Sequence, residues 1–387
     1  MSTIQNLTLK NQLREINSDA LLMIGNSDNT DLYYVSNFIS MDSYTYIQTN
    51  SSEILFVPDM ELNRAKIESR ISDIRTISKY KNKKQKYKDF DIAYCDALIE
   101  IFKQEQIKKI SVLRDFSFFF ANRLKEAGFE IIAIESPFKK MRAKKNDLEI
   151  KMITAVQNAC DSAMEVAINM IENSTEKNAM LYYKNEVLTS ESIRTAIEYK
   201  LLEFGCNSEN TIVACGEKSS NPHWAGTGAL APNESIVIDI FPRSKTFKYY
   251  ADMTRTVCKG TPSKELNDMY DAVFFAQTKA LELVKPGINC SEIHNAVCDV
   301  FERKGYETIK NNSKIGYIHS TGHGVGLDIH ELPNVGNTDV SLEVGNIITI
   351  EPGLYYPNIG GIRIEDLVVV TENGCNNLTK YKKQFVV

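Results

Sequence analysis

The chain's 387 residues, 43% hydrophobic and 25% charged with a formal net charge of -5, predict two or three folding units at about 150 residues each, two being the working count, and exclude a disordered protein. No apolar run of about 18 residues offers a membrane span, and the stretch MSTIQNLTLKNQLREI lacks the basic, apolar and small-residue succession of a secretory leader. The lysine-rich patch from Lys79 to Lys88 is too short and too poor in base-reading motifs for a nucleic-acid surface, so no nucleic acid and no membrane are expected as partners.

In chain order, DALLMIG, TDLYYVSNF and SSEILFVPD predict three strands between residues 18 and 60, followed by a helix from Glu61 to Ser69. KKISVLRD and FEIIAIES predict two more strands around the amphipathic helix FFFANRLKEAGF. Together they form an α/β domain over residues 1–140, with its boundary inside 138–146. A long helix follows, in which Ile150, Ile153, Val156, Cys160, Ala163 and Ala167 recur at steps of three or four. SESIRTAIEYKLLEFG predicts a helix ended by Gly205, Glu265 to Val284 another ended by Pro286 and Gly287, and Cys290 to Lys304 a third. SIVIDIFP, YYADMTRTV, NIITIEPGLYY and GGIRIEDLVVV are dense in Ile, Val, Thr and Tyr and predict strands. Residues 141–387 therefore read as an α+β domain with helices packed on antiparallel sheet. The eight cysteines form no C-x-x-C pair and read as mostly buried thiols of a cytoplasmic protein.

Four of these strand segments carry acids where apolar residues are expected. Asp239 sits within IVIDI, and a carboxylate there is costly to bury unless a cation or several donors satisfy it. Asp252 opens DMTRT, where an ordinary ion pair with Arg255 is an equal alternative. Glu351 follows NIITI, and Glu365 lies in GIRIEDLVVV, where alternation puts Gly361, Arg363 and Glu365 on one face and Ile362 and Ile364 on the other. The acids fall in two pairs, 13 and 14 positions apart. Each pair suits a strand returning on itself, so that four carboxylates point to one place.

The chain has five histidines, and H-S-T-G-H-G-V-G-L-D-I-H holds three of them, His319, His323 and His330, in a run too glycine-rich for a continuous helix. The zincin pattern H-E-x-x-H is absent. One imidazole with four carboxylates suits two ions of the Mn, Co or Zn kind. His294 lies in a helical pattern and reads as structural.

The segments IVIDIFP, ADMTRT, STGHGVGLDIHE, TIEPGLYY and GIRIEDLVVV together resemble the creatinase/methionine aminopeptidase family of pita-bread metallopeptidases, in its Xaa-Pro dipeptidase and aminopeptidase branch. The resemblance spans the whole chain and implies a pita-bread catalytic domain behind a smaller creatinase-like α/β domain. It implies that Asp239, Asp252, His323, Glu351 and Glu365 bind two divalent ions per subunit, Mn first and Co or Zn as alternatives. Asp252 and Glu365 are the implied bridges. The spacing between Asp239 and Asp252 is two residues longer than is usual in the family, which puts the shape of that loop in question.

The resemblance further implies Glu351 as the proton-transferring carboxylate, with His223 and His330 as catalytic and substrate-binding groups and His319 and Arg363 as further substrate-binding residues. The expected substrates are short peptides with proline in second place, and the expected assembly is a homodimer. A short single amino-terminal domain favours an Xaa-Pro dipeptidase (prolidase). An Xaa-Pro aminopeptidase acting on longer peptides is the alternative. An inactive pita-bread binding protein is the reading from a different class, and the complete ligand set opposes it.

Overall fold

The computed structural model describes residues 9–11, 13–80 and 89–387. Positions 81–88 of the lysine-rich patch, and the first eight positions, lie outside the described residues. The chain divides into two compact units, Met1–Met141 and Arg142–Val387. Among the described residues no helix is long and apolar enough to cross a membrane.

The first unit is built on six strands: β1 (Ala20–Gly25), β2 (Tyr44–Thr49), β3 (Glu53–Val57), β4 (Asp73–Thr76), β5 (Lys109–Leu113) and β6 (Glu130–Ile134), in the order β4-β3-β2-β1-β5-β6. Alternate residues of β1 enter different cores, Ala20 and Leu22 on one face and Leu21 and Met23 on the other, so helices cover both sides of the sheet. The predicted strand TDLYYVSNF is instead a helix, α1 (Thr30–Ser36). The Asn29 side chain caps it by accepting from Leu32 N–H at 2.9 Å, and Asn37 closes it at a left-handed φ of 52°. The strand beside β1 is YTYIQT, whose polar residues hid it. Thr45 shares a hydrogen bond with the Tyr94 hydroxyl (2.7 Å), and Gln48 donates to Thr49 O (2.8 Å), which makes their burial affordable.

In the second unit the long predicted helix is α2 (Asp147–Glu172), opened by a capping box between Asn146 and Glu149. Helix α3 (Ser190–Glu203) ends before Gly205 at φ 66°. Strands β7 (Ile212–Cys215), β8 (Ile236–Ile240) and β9 (Met253–Val257) form an antiparallel sheet. Two helices follow, α4 (Lys264–Leu283) and α5 (Cys290–Arg303). Strands β10 (Gly322–Gly324), β11 (Glu331–Val335), β12 (Ile347–Ile350), β13 (Gly353–Tyr356), β14 (Gly360–Arg363), β15 (Asp366–Thr371) and β16 (Gly374–Asn377) come after them. Five of them pair in the order β11-β10-β12-β15-β16, while β13 pairs with β14. NIITIEPGLYY and GGIRIEDLVVV thus each break into two strands, at Glu351-Pro352 and at Ile364-Glu365. Pro352 has no N–H to give the ladder. Among the eight free cysteines only Cys215 and Cys375 are partly exposed.

Candidate metal centre

Asp239 on β8 stands opposite Thr254 on β9. The same register runs on past Ile240: Ala251 N–H donates to Pro242 O at 3.0 Å, Arg243 bridges Tyr250, and Ser244 N–H donates to Tyr249 O at 2.9 Å. The longer spacing is therefore taken up within one regular hairpin, whose two strands stay in register. Asp252, two residues before Thr254, shares the face of Asp239. The second acid pair follows the same logic. Ile350 pairs with Asp366 and Gly353 with Arg363, so Glu351 and Glu365 fall opposite each other where the ladder is interrupted. Ile362 and Ile364 enter the apolar core, as alternation requires.

The glycine run brings the histidine in between. A Cβ on Gly322 would lie 1.9 Å from Thr349 O, and one on Gly324 2.2 Å from Leu332 O. Only glycine lets β10 sit this close to its neighbours. Gly322→Ala is expected to cost about 1–3 kcal/mol, as overpacking does. A thermal melt checks this, and a midpoint equal to that of the parent would contradict the close approach.

His323 Nδ1 faces Gly324 O at 3.1 Å, and this backbone acceptor assigns the ring proton to Nδ1. The bare Nε2 points at Glu351 Oε1 (3.4 Å) and Asp252 Oδ2 (3.6 Å). Burial, with His330 adding to it, pushes the His323 pKa down to about 3, which keeps the imidazole in its ligand form. The ligand atoms of Asp252, His323 and Glu365 all lie within 4.8 Å of one another.

Charge at this place is unbalanced. Burial first, and then the neighbouring carboxylates, push Asp252 and Glu365 well above the ordinary carboxylate range. Burial pushes Glu351 up to about 8 against the pull of Arg363. Arg363 donates to Asp239 Oδ2 at 2.8 Å and, through Nε, to Thr254 Oγ1 at 3.1 Å, while Thr254 donates to Glu365 Oε2 at 2.8 Å. One oxygen of Asp239 and one of Glu365 are thus satisfied from behind. Their other oxygens, Asp239 Oδ1 and Glu365 Oε1, are buried with no hydrogen-bond partner, and so is Asp252 Oδ1. Three orphaned carboxylate oxygens beside a neutral imidazole fit a divalent cation.

Arg363 also donates to the Tyr355 hydroxyl (2.9 Å), which lies 3.0 Å from His319 Nε2, while His319 Nδ1 faces Ser320 O at 2.7 Å. Both nitrogens of His319 are therefore engaged by the protein, and burial holds its pKa down to about 4. His330 is exposed, with its ring centroid 4.3 Å from that of His323. His223 is exposed too and opposes protonation of both His319 and His330. His294 is buried, sharing a hydrogen bond with Thr321 (3.0 Å), in keeping with its structural reading. Trp224 packs against Ile212, Ala214 and Val237.

The alternative of an Asp252–Arg255 ion pair is not what forms. Arg255 pairs with Asp366 at 2.9 Å, because the two residues next to the facing Thr254 and Glu365 point away from the site together. Sequence reading missed Thr254, Tyr355 and Thr321. Thr254 had a signal, being two residues from Asp252 on one strand face; Tyr355 and Thr321 act across strands whose pairing no local pattern announces.

The model of metallopeptidase family M24 matches residues 151–372, and that of the creatinase/prolidase N-terminal domain matches residues 7–144. The chain belongs to metallopeptidase family M24. An Xaa-Pro dipeptidase of Pyrococcus horikoshii is 31% identical over 375 residues, covering 95% of this chain and 94% of that protein. Among solved structures, an Xaa-Pro dipeptidase from Bacillus anthracis superposes with a TM-score of 0.85 at 25% identity, covering 99% of each chain. An X-Pro aminopeptidase from Thermotoga maritima does so with a TM-score of 0.78 at 26% identity, covering 97% of this chain and 100% of that one. This M24 protein is a metal-dependent peptidase, with a pita-bread catalytic domain behind a creatinase-like domain.

Proposed function

We propose that the enzyme is an Xaa-Pro dipeptidase that uses two divalent ions, Mn in first place, held by Asp239, Asp252, His323, Glu351 and Glu365. The observation that carries this reading is the set of orphaned buried oxygens on Asp239, Asp252 and Glu365, in a site where ligand atoms of Asp252, His323 and Glu365 lie within 4.8 Å of one another. The likeness to the Pyrococcus and Bacillus dipeptidases over nearly the full chain supports the substrate class. The family resemblance supports a homodimer, and the mostly buried free cysteines support a reducing cytoplasm.

Divalent ions supply Lewis-acid polarisation of the scissile carbonyl and a water acidic enough to ionise near neutral pH. The protein's own groups do the rest. Glu351, whose Oε1 lies 3.4 Å from both His323 Nε2 and the Thr349 hydroxyl, is the carboxylate that would accept a proton and pass it to the leaving proline nitrogen. His330 and His223 are exposed and free to donate hydrogen bonds to the substrate and the developing oxyanion. Arg363 orients Asp239, and His319 acts through Tyr355, since its own nitrogens are engaged. An X-Pro bond has no N–H to pair with a strand, so recognition rests on a compact pocket.

Mass spectrometry of products from Ala-Pro and Ala-Pro-Ala-Ala, with Mn-loaded enzyme and a Glu351→Ala control, tests the reading. Cleavage of Ala-Pro alone is the expected result. Release of Ala from the tetrapeptide transfers the assignment to an Xaa-Pro aminopeptidase, the reading that the Thermotoga structure favours. No cleavage of either removes the proline specificity.

A further inference from the structure

Helix α4 packs an apolar stripe, including Val273, Ala276 and Ala280, into the same core as Ile350 and Ile364. One member of that stripe is polar. Gln277 is 0% exposed, and its Nε2 donates to two backbone carbonyls, Ile350 O at 3.0 Å and Ile364 O at 3.2 Å. Its Oε1 is buried with no partner. An apolar side chain would fill this space without stranding an acceptor, so the donor is what the position demands.

The two carbonyls belong to the peptide units that lead into Glu351 and Glu365. Their opposite ends are also held: Glu351 N–H donates to Thr321 O at 2.7 Å and Glu365 N–H to Thr254 O at 3.0 Å. Each peptide plane bearing a candidate ligand is therefore tied at both ends, and one carboxamide is common to both. The need arises from Pro352. Ile364 N–H donates to Pro352 O at 3.4 Å, but proline has no N–H to return, so the Ile364 carbonyl loses the reciprocal donor of an antiparallel pair. Gln277 supplies it.

We propose that Gln277 is a positioning residue of the metal centre: by tying the peptide units ahead of Glu351 and Glu365 to one amide, it sets the separation of the two carboxylates and thereby the affinity for divalent ions. This rests on the metal-centre reading and not on the identity of the peptide substrate. Replacing Gln277 by methionine keeps the length and removes the donors.

The test compares Gln277→Met with Val273→Ala, a core truncation on the same helix face, by Co(II) titration followed in the visible spectrum, by thermal melting, and by kcat and KM on Ala-Pro. Gln277→Met is expected to weaken Co(II) binding by about 10–100-fold, the usual effect of losing an outer-sphere partner, to alter the Co(II) bands, and to lower kcat more than it raises KM. Val273→Ala is expected to lower the melting midpoint while keeping parental Co(II) affinity and bands. Gln277→Glu, which keeps one donor when protonated, is expected to fall between parent and Gln277→Met, and it carries the comparison if Gln277→Met does not fold. Parental Co(II) affinity and spectrum in the folded Gln277 variants, or an equal loss of affinity in Val273→Ala, overturns the proposal. Failure of the parent to cleave Ala-Pro while the Co(II) result holds counts against the substrate reading alone.

Discussion

Asp252→Asn is expected to abolish Ala-Pro hydrolysis, with a loss on the order of 10³-fold or more, since several kcal/mol of transition-state stabilisation depend on the ions. The same substitution is expected to stabilise the chelator-treated protein at alkaline pH. Asp252, Glu351 and Glu365 all bind a proton more tightly in the folded chain than in the unfolded one, because burial and mutual repulsion penalise their charged forms. Raising the pH from the ordinary carboxylate range through about 8, the value for Glu351, therefore removes stability from the metal-free protein. Asparagine removes one of these acids and can donate to His323 Nε2, which lies 3.6 Å from Asp252 Oδ2. Thermal melts in chelator between pH 5 and 8.5 read this directly: the parent midpoint should fall with pH and the Asp252→Asn midpoint should fall less. Restoring Mn(II) at about 100 times its dissociation constant should return about 2.7 kcal/mol per ion to the parent. A parent midpoint that rises with pH in chelator would refute the picture of crowded, uncompensated carboxylates.

The second large effect lies behind the site. Asp366 is fully buried, accepting from Arg255 Nη2 (2.9 Å), Lys383 Nζ (2.6 Å) and Asn377 Nδ2 (2.7 Å). Arg255 in turn donates to Glu365 O (2.6 Å) and to the carbonyls of Tyr381 (2.7 Å) and Lys382 (3.1 Å), fastening the carboxyl-terminal segment to the break between β14 and β15 that holds Glu365. Asp366→Ala leaves two cations buried without their carboxylate, and the expected cost is about 3–5 kcal/mol. Burial alone would raise the Asp366 pKa, but Arg255 and Lys383 outweigh it and hold it below the ordinary value. Its contribution is thus present above the usual carboxylate pKa and lost as the pH falls, so the gap between parent and Asp366→Ala in urea titrations should close toward pH 3. A gap under about 1 kcal/mol at pH 7 would mean that the pair is no more than an exposed one.

Much of this was legible in the residues because the signals were local. Ile150 to Ala167 keep a helical period, and α2 follows it. Asp239 and Glu365 stand out because an acid among isoleucines and valines needs a partner, and alternation alone assigned Arg363 and Glu365 to one face. The glycines around His323 announced a close approach that Thr349 O and Leu332 O make concrete. Where local signals conflicted, reading failed: TDLYYVSNF has strand-forming residues, but the Asn29 cap and the spacing of Leu32 and Val35 make it a helix.

By itself, then, the sequence showed four acids in apolar strands and the alternation that turns them inward, because these depend on residue type and on a period of two, while the resemblance to a family singled out His323 as the fifth candidate ligand. Tertiary structure alone decided the partners: that Arg255 answers Asp366 rather than Asp252, that His319 spends both nitrogens on the protein, and that Gln277 reaches two carbonyls more than 70 residues away. Such choices turn on strand register and on which donor a buried acceptor can reach, and those distances come into being only when the two hairpins and helix α4 have packed together.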